Sequence, residues 1–392
     1  MPKSLPRGVV ALGLVSLFMD ISSEMIHALL PLFLTGTLGA SALWMGVIEG
    51  VGEATASFVK PVSGILSDRT GRRKPLAIAG YGLSAVTKPL FALAGIPAAI
   101  LVARFADRVG KGIRGAPRDA LIADMVPPEQ HGAAYGLRQS LDTIGAFAGP
   151  ALAILLMGLF AGDMRAVFAV AIVPAILSVA TLALFVREER PATAHHDRPG
   201  RATWQGAAAL GRPFFVVVAF ATVLTFARFS DAFLILRAND AGLGAAQAPL
   251  VLVAMNVAYA LSAWPAGHLS DRIGARGLLA AGVGLLVLAD LLLRLGGGVV
   301  PVMAGVVAWG LHMGLTQGLL AAEVAGAAPP GRRGTAFGVF GLLTGAATLA
   351  GNLVAGALWA GGGAPATFGL GLACAGLCLP GVLLLPRARP AA

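Results

Sequence analysis

The sequence predicts an all-α membrane protein: twelve transmembrane helices in two pseudo-symmetric six-helix halves, with both termini in the cytoplasm. Three observations predict it. The 392 residues are 57% hydrophobic and only 12% charged, about half the ~25% charge of a soluble chain. The apolar residues collect into runs close to the ~20 residues that a helix needs to cross the hydrocarbon. The chain also repeats itself. The stretch Gly64-Ile65-Leu66-Ser67-Asp68-Arg69-Thr70-Gly71-Arg72-Arg73 returns as Gly267-His268-Leu269-Ser270-Asp271-Arg272-Ile273-Gly274-Ala275-Arg276, with Asp68 and Asp271 203 positions apart. Pro127-Pro128 before Gly132-Ala133-Ala134-Tyr135-Gly136 returns as Pro329-Pro330 before Gly334-Thr335-Ala336-Phe337-Gly338, with Gly132 and Gly334 202 apart. Two independent matches at nearly one offset mark homologous halves.

In chain order the expected spans are 8–35, 43–66, 75–94, 97–122, 131–158 and 164–186, then 213–238, 246–268, 277–296, 299–324, 333–360 and 365–386. The first run is too long, and too interrupted by Asp20 and Glu24, to be a cleavable signal, so it reads as a span. The resulting organisation is an N-terminal half over 1–186, a cytoplasmic linker over 187–212 and a C-terminal half over 213–392. Lys3, Arg7, the Arg69/Arg72/Arg73/Lys74 turn, the linker, Arg272, Arg276, Arg332, Arg333, Arg387 and Arg389 fall on one side. The positive-inside bias makes that side cytoplasmic. The formal net charge of +10 is thereby accounted for by topology, without nucleic acid. His195 and His196 in the linker lack further metal ligands at useful spacing. The only cysteines, Cys374 and Cys378, stand i, i+4 in the last apolar run and read as small buried thiols.

Charges inside the spans narrow the function, because each costs about 2.5–3.5 kcal/mol at the bilayer centre on translocon scales and must face protein or water. Asp20, Glu24 and His27 share one face of span 1. Glu49 and Glu53, with Lys60, share one face of span 2. Span 4 carries Arg104, Asp107, Lys111, Arg114 and Arg118 as one stripe at helical spacing, with Arg108 and Asp119 beside it. Its cytoplasmic end, with Gly110, Gly112, Gly115 and Pro117, is not required to be regular helix. Span 5 pairs Arg138 with Asp142 at i, i+4. The second half is poorer in charge: Arg228, Asp231 and Arg237 in span 7, Asp290 and Arg294 in span 9, His312, Gln317 and Glu323 in span 10, and the polar Asn256, Tyr259 and Asn352. The same network would serve as structural ion pairs or as a proton-responsive site.

Three of these stretches resemble motifs of the major facilitator superfamily, and the resemblance covers the whole chain. The Gly64–Arg73 turn is similar to motif A, which implies a gate latch built on Gly64, Asp68, Arg69, Gly71 and Arg72. Gly145-Ala146-Phe147-Ala148-Gly149-Pro150 resembles motif C, which marks proton-driven exporters; Ala151-Leu152-Ala153 stand where the motif has further glycines. Leu101-Val102-Ala103-Arg104 resembles the start of motif B, where a buried arginine is linked to proton coupling.

The resemblance implies secondary active transport by alternating access in the bacterial cytoplasmic membrane, as a monomer, with no cofactor, no resident metal and no enzyme activity. The substrate is a small molecule, and the expected mode is proton-coupled export of an organic compound. The alternatives are proton-coupled uptake of an anionic or metal-chelate substrate, and transition-metal transport through Met19, Asp20, Glu24, Met25, His27, His312 and Met313. A non-transporting receptor or scaffold is disfavoured by the buried charges, and no Gly-x-x-x-x-Gly-Lys-Ser/Thr loop is present for ATP. Asp20, Glu24, Arg104 and Glu53 are the expected proton-coupling residues. His27, Glu49, Asp107, Arg108, Lys111, Arg228, Asp231, Asn256, Tyr259, His312 and Gln317 are expected to line the substrate cavity. Arg114, Arg118, Asp119 and Asp142 join Gly145, Gly149 and Pro150 as gate contacts. The first half is expected to carry coupling and the second to shape specificity.

Overall fold

The computed structural model describes residues 5–127, 130–188, 210–329 and 332–385. Most of the expected linker, with His195 and His196, lies outside the described residues, as do Lys3, Pro128, Pro330, Arg387, Arg389 and the side chains of Asp271, Arg272 and Arg333. Among the described residues every regular element is helical. In chain order they are α1 (Arg7–His27), α2 (Ala42–Thr70), α3 (Arg73–Leu93), α4 (Pro97–Asp124), α5 (His131–Leu159), α6 (Met164–Val170), α7 (Ile172–Phe185), α8 (Gly211–Ala227), α9 (Ala232–Asp240), α10 (Leu250–Ile273), α11 (Ala275–Leu295), α12 (Val299–Ala327) and α13 (Arg333–Gly381). Nine helical stretches among the described residues are long and apolar enough to cross a membrane. Helices α2 and α4 are as long, at 29 and 28 residues, but carry the charges noted above. Helix α13 contains a non-helical Gly363, so it is two helices meeting at a kink. Large apolar side chains such as Val86, Leu93, Leu159 and Leu184 are exposed, as lipid-facing positions must be.

The chain divides into two compact units. The first is Met1–Ser41, Val51–His195 and Gly244–Val253; the second is Ala42–Gly50, His196–Leu243 and Ala254–Ala392. In the first unit α1 packs along α5 and α7, and α3 along α4. The α3–α4 approach is a glycine crossing. A Cβ on Gly80 would stand 2.7 Å from Gly110 O, and one on Gly110 2.6 Å from Gly80 O. Polar ties fix α1 to its other neighbours: Ser22 Oγ donates to Ala171 O at 2.6 Å and Ser178 Oγ to Val15 O at 2.7 Å. Val9, Leu12, Val15, Met19, Tyr81 and Leu121 fill the core between them. In the second unit α8 packs on α13, and α11 on α12 and α13. Phe229, Phe233, Trp309, Trp359 and Phe368 stack there, with ring centroids 5.5–6.1 Å apart.

Both repeated turns close with a glycine at positive φ that donates to the serine carbonyl four residues before it. Gly71 has φ +60° and donates its N–H to Ser67 O at 3.0 Å; Gly274 has φ +84° and donates to Ser270 O at 2.9 Å. Each closes its helix in a conformation that a side chain resists. Gly71→Ala is expected to cost about 1 kcal/mol, read as faster hydrogen exchange over Ser67–Arg73. Unchanged exchange would contradict that role for the glycine.

Three expectations about the helices need correction. Span 1 is not one regular helix: after α1 come a helical turn, Leu30–Leu32, and a π-helical segment, Phe33–Thr37. The cytoplasmic end of span 4 is regular helix through Gly110, Gly112, Gly115 and Pro117, because these small residues let α2 and α3 close on it. Span 7 is broken, with α8 ending at Ala227 and α9 starting at Ala232.

Candidate functional site

The first unit assembles most of the charged residues singled out above. Asp20 and Glu24 lie on the face of α1 that meets α5, and the α5 glycines are what let them lie there. A Cβ on Gly145 would stand 2.9 Å from Asp20 Cβ, and one on Gly149 2.6 Å from Glu24 Cβ and 2.9 Å from Ile21 O. The carboxylate-bearing backbone of α1 is thus seated directly on the glycine face of α5. Gly149 and Pro150 are buried, while Asp20 and Glu24 are partly buried. Among the described residues neither carboxylate makes a hydrogen bond or an ion pair. Charged groups within electrostatic reach of Asp20 are Asp142, Lys111, Arg114 and Glu24.

Helix α4 supplies the cations, and most are committed. Asp107 Oδ1 lies 3.0 Å from Lys88 Nζ, with side chains only 5% and 2% exposed, and Lys88 also donates to Ser23 Oγ at 3.0 Å. Arg104 Nη2 donates to His27 Nδ1 at 2.9 Å. Arg108 Nη2 lies 3.0 Å from Glu53 Oε1. Arg114 donates to Ser84 Oγ and stacks over Tyr81, 4.8 Å from the ring centroid. Gly52 lets α2 close on this row: a Cβ there would stand 3.3 Å from both Arg104 Cγ and Arg108 Cγ. Lys111 is exposed and makes no ion pair among the described residues. It stands midway along the 28 residues of α4.

Toward the C-terminal end of α4, Arg118 donates to Ser16 Oγ at 3.0 Å and pairs with Asp119 at 3.0 Å. Arg138 pairs with Asp142 at 2.6 Å. In the repeated turn, Asp68, Arg69 and Arg72 are exposed, and a Cβ on Gly64 would stand 3.3 Å from Ala116 Cβ. Arg73 is the residue of that turn that is tied down. It pairs with Asp124, donates to Ala120 O at 3.0 Å, and its N–H donates to Glu188 Oε1 at 2.6 Å.

The second unit brings together a smaller set at the α8–α9 break. Ser230 N–H donates to Asn352 Oδ1 at 2.8 Å, and Ser230 Oγ to Glu49 Oε2 at 3.1 Å. Arg228 lies within electrostatic reach of Asp231 and Tyr259, and His312 within reach of Arg228. His312 is fully buried and its Nδ1 bonds Gly282 O at 2.8 Å. Asn256 and Gln317 are partly buried on α10 and α12. Among the described residues no three His, Cys, Asp or Glu side chains gather as metal ligands.

Lys88, Ser23, Ser84, Tyr81 and Ser230 are members of these networks that the spacing argument does not find. A single lysine near the end of an apolar span reads as a snorkelling side chain, and isolated serines carry no periodic signal.

Comparison with known proteins identifies the family. The chain is 31% identical over 358 residues to an uncharacterized protein of Mycobacterium tuberculosis, covering 90% of this chain and 87% of that one. It is 28% identical over 366 residues to an uncharacterized MFS-type transporter of Methanocaldococcus jannaschii, covering 91% and 89%. It is 27% identical over 278 residues to the multidrug resistance protein MdtG of a Rahnella species, covering 68% and 66%. Among solved structures, a bacterial homolog of the human lysosomal transporter Spinster, inward-facing and occupied, superposes with a TM-score of 0.77 at 16% identity, covering 98% of both chains. The Major Facilitator Superfamily model matches residues 12–246 and 218–392. The chain therefore belongs to the Major Facilitator Superfamily and is a multi-pass membrane transporter, not an enzyme.

Proposed function

We propose that the chain is a proton-coupled exporter of small organic molecules that works by alternating access in the bacterial cytoplasmic membrane. The observation that carries this reading is the pair Asp20 and Glu24: two carboxylates in a membrane-spanning helix, seated on the α5 glycines and free of any ion pair among the described residues. Ionisable side chains inside the membrane spans of transporters mark proton relays, and an exchanged proton can drive transport. Arg104 and Glu53, joined through His27 and Arg108 to the same row, tune that site. The resemblance of Gly145–Pro150 to the exporter motif and the similarity to MdtG support export over uptake.

The topology belongs to the same proposal. With α13 counted as two helices at Gly363, and α2 and α4 added, the nine apolar stretches make twelve crossings, in halves joined by the 187–212 linker. An even number of crossings leaves both termini on one side, and the basic turns make that side cytoplasmic. Asp68, Arg69 and Arg72 act as a gate latch on that side, and Arg228, Asp231, Asn256, Tyr259, His312 and Gln317 shape specificity.

The test is transport in everted membrane vesicles carrying an imposed proton gradient, with a panel of organic cations, anions and metal ions. The expected result is uphill accumulation of an organic compound that a protonophore abolishes and that collapses the gradient. Movement unaffected by the protonophore, or movement of compound and proton in the same direction, sinks the reading.

A further inference from the structure

The charges of the first unit divide into two kinds. Most are committed: Lys88 with Asp107, Arg108 with Glu53, Arg118 with Asp119, and Arg138 with Asp142. Arg104 and Arg114 hold His27 and the Ser84–Tyr81 pair. Asp20, Glu24 and Lys111 are not. Among the described residues none of the three makes a hydrogen bond or an ion pair. Asp20 and Glu24 are partly buried, and Lys111 is exposed.

Asp20 and Lys111 are within electrostatic reach of each other. Asp20 faces Glu24 on its own helix, Asp142 from α5, and Lys111 and Arg114 from α4. Lys111 faces Arg108 and Arg114 on its own helix, Glu53 from α2 and Asp20 from α1. Asp20 and Lys111 thus feel each other without touching. The α5 glycines fix α1 in place, with Gly145 against the backbone of Leu17 and Gly149 against that of Ile21. Unsatisfied charges in a membrane span are costly, and the cost is relieved by water or by a molecule that offers both signs of charge.

From this geometry we infer that the first unit binds an amphoteric substrate, a small molecule carrying an ammonium group for Asp20 and Glu24 and a carboxylate for Lys111. The ammonium and a proton then compete for the same carboxylates, which is the requirement for exchange, while Lys111 holds the other end of the molecule. The inference rests on the reading of Asp20 and Glu24 as the proton site and adds the chemical class of the substrate to it.

Ligand binding to the purified protein in detergent, with no gradient, separates the two claims. The probes are aliphatic and aromatic amino acids, their methyl esters, which keep only the positive charge, and their N-acetyl forms, which keep only the negative one. Each is scored by thermal stabilisation and by Kd. The expected result is stabilisation by free amino acids and not by either single-charge form. Lys111→Gln weakens the Kd of the stabilising compounds about tenfold or more, as loss of a charged hydrogen bond does. Lys111→Arg keeps most of the affinity, and both variants remain monodisperse. Stabilisation by esters or N-acetyl forms as strong as by amino acids, an unchanged Kd in Lys111→Gln, or no stabilisation by any amino acid overturns the inference. Amino acid binding without proton movement would instead leave this inference standing and remove the coupling proposal.

Discussion

Lys88→Met is expected to destabilise the protein by about 3–5 kcal/mol, the cost of leaving one partner of a buried ion pair unpaired. The ammonium is 2% exposed and sits 3.0 Å from Asp107 and 3.0 Å from Ser23. Asp107 is left in the interior beside the α3–α4 glycine crossing, where there is no room for helices to part. The double variant Lys88→Met with Asp107→Leu removes both charges and is expected to recover most of the loss, because two apolar side chains of similar volume need no compensation. Thermal unfolding of the purified single and double variants checks this. A single variant as stable as the parent, or a double variant less stable than the single, would show that the pair does not hold α3 to α4.

The second large effect is at Gly149. Gly149→Val places a branched side chain where a Cβ alone would already stand 2.6 Å from Glu24 Cβ and 2.9 Å from Ile21 O. Helices α1 and α5 must separate, and Glu24 must move with its backbone. Overpacking of this kind costs about 1–3 kcal/mol, which a chain of this size can survive, but the position of the carboxylate cannot. Proton-coupled transport is therefore expected to fall to background while the protein still purifies as a monodisperse species. Gly158→Val, nine positions further along α5 with nothing within 4 Å of its Cβ, is the control and is expected to transport normally. Equal transport by both variants would uncouple the glycine face from the site.

Much of the architecture was legible in the sequence because the bilayer imposes it. Apolar runs of hydrocarbon length, basic loops and a glycine-closed turn that occurs twice are local features, and the helices of the structure fall on the expected stretches. Asp20, Glu24, Arg104, Asp107, Arg108 and Arg114 announced themselves as charges at helical spacing in apolar surroundings. Their partners did not. Arg104 is grouped with the span 1 carboxylates as a coupling residue from the sequence, and in the structure it bonds His27 of the same span, with α1 set in place by the α5 glycines and by Ser22 and Ser178. Asp107 finds Lys88, 19 positions away on another helix. The α8–α9 break has neither glycine nor proline to announce it. Ser230 is drawn out of helical geometry by Asn352, 122 positions later in the chain, and by Glu49. Such pairings depend on which faces of distant helices meet, which no local pattern records.

In the proposed mechanism Asp20 and Glu24 exchange protons during transport. Proton flux in proteoliposomes tests it most directly, with a pH-sensitive dye inside and substrate added outside, for the parent protein beside Asp20→Asn and Glu24→Gln. Substrate-triggered proton movement is expected in the parent and lost in at least one variant, with substrate still bound. Proton movement in both variants equal to the parent's, or transport of substrate by the parent with no proton movement at all, would contradict it and return the two carboxylates to a structural role.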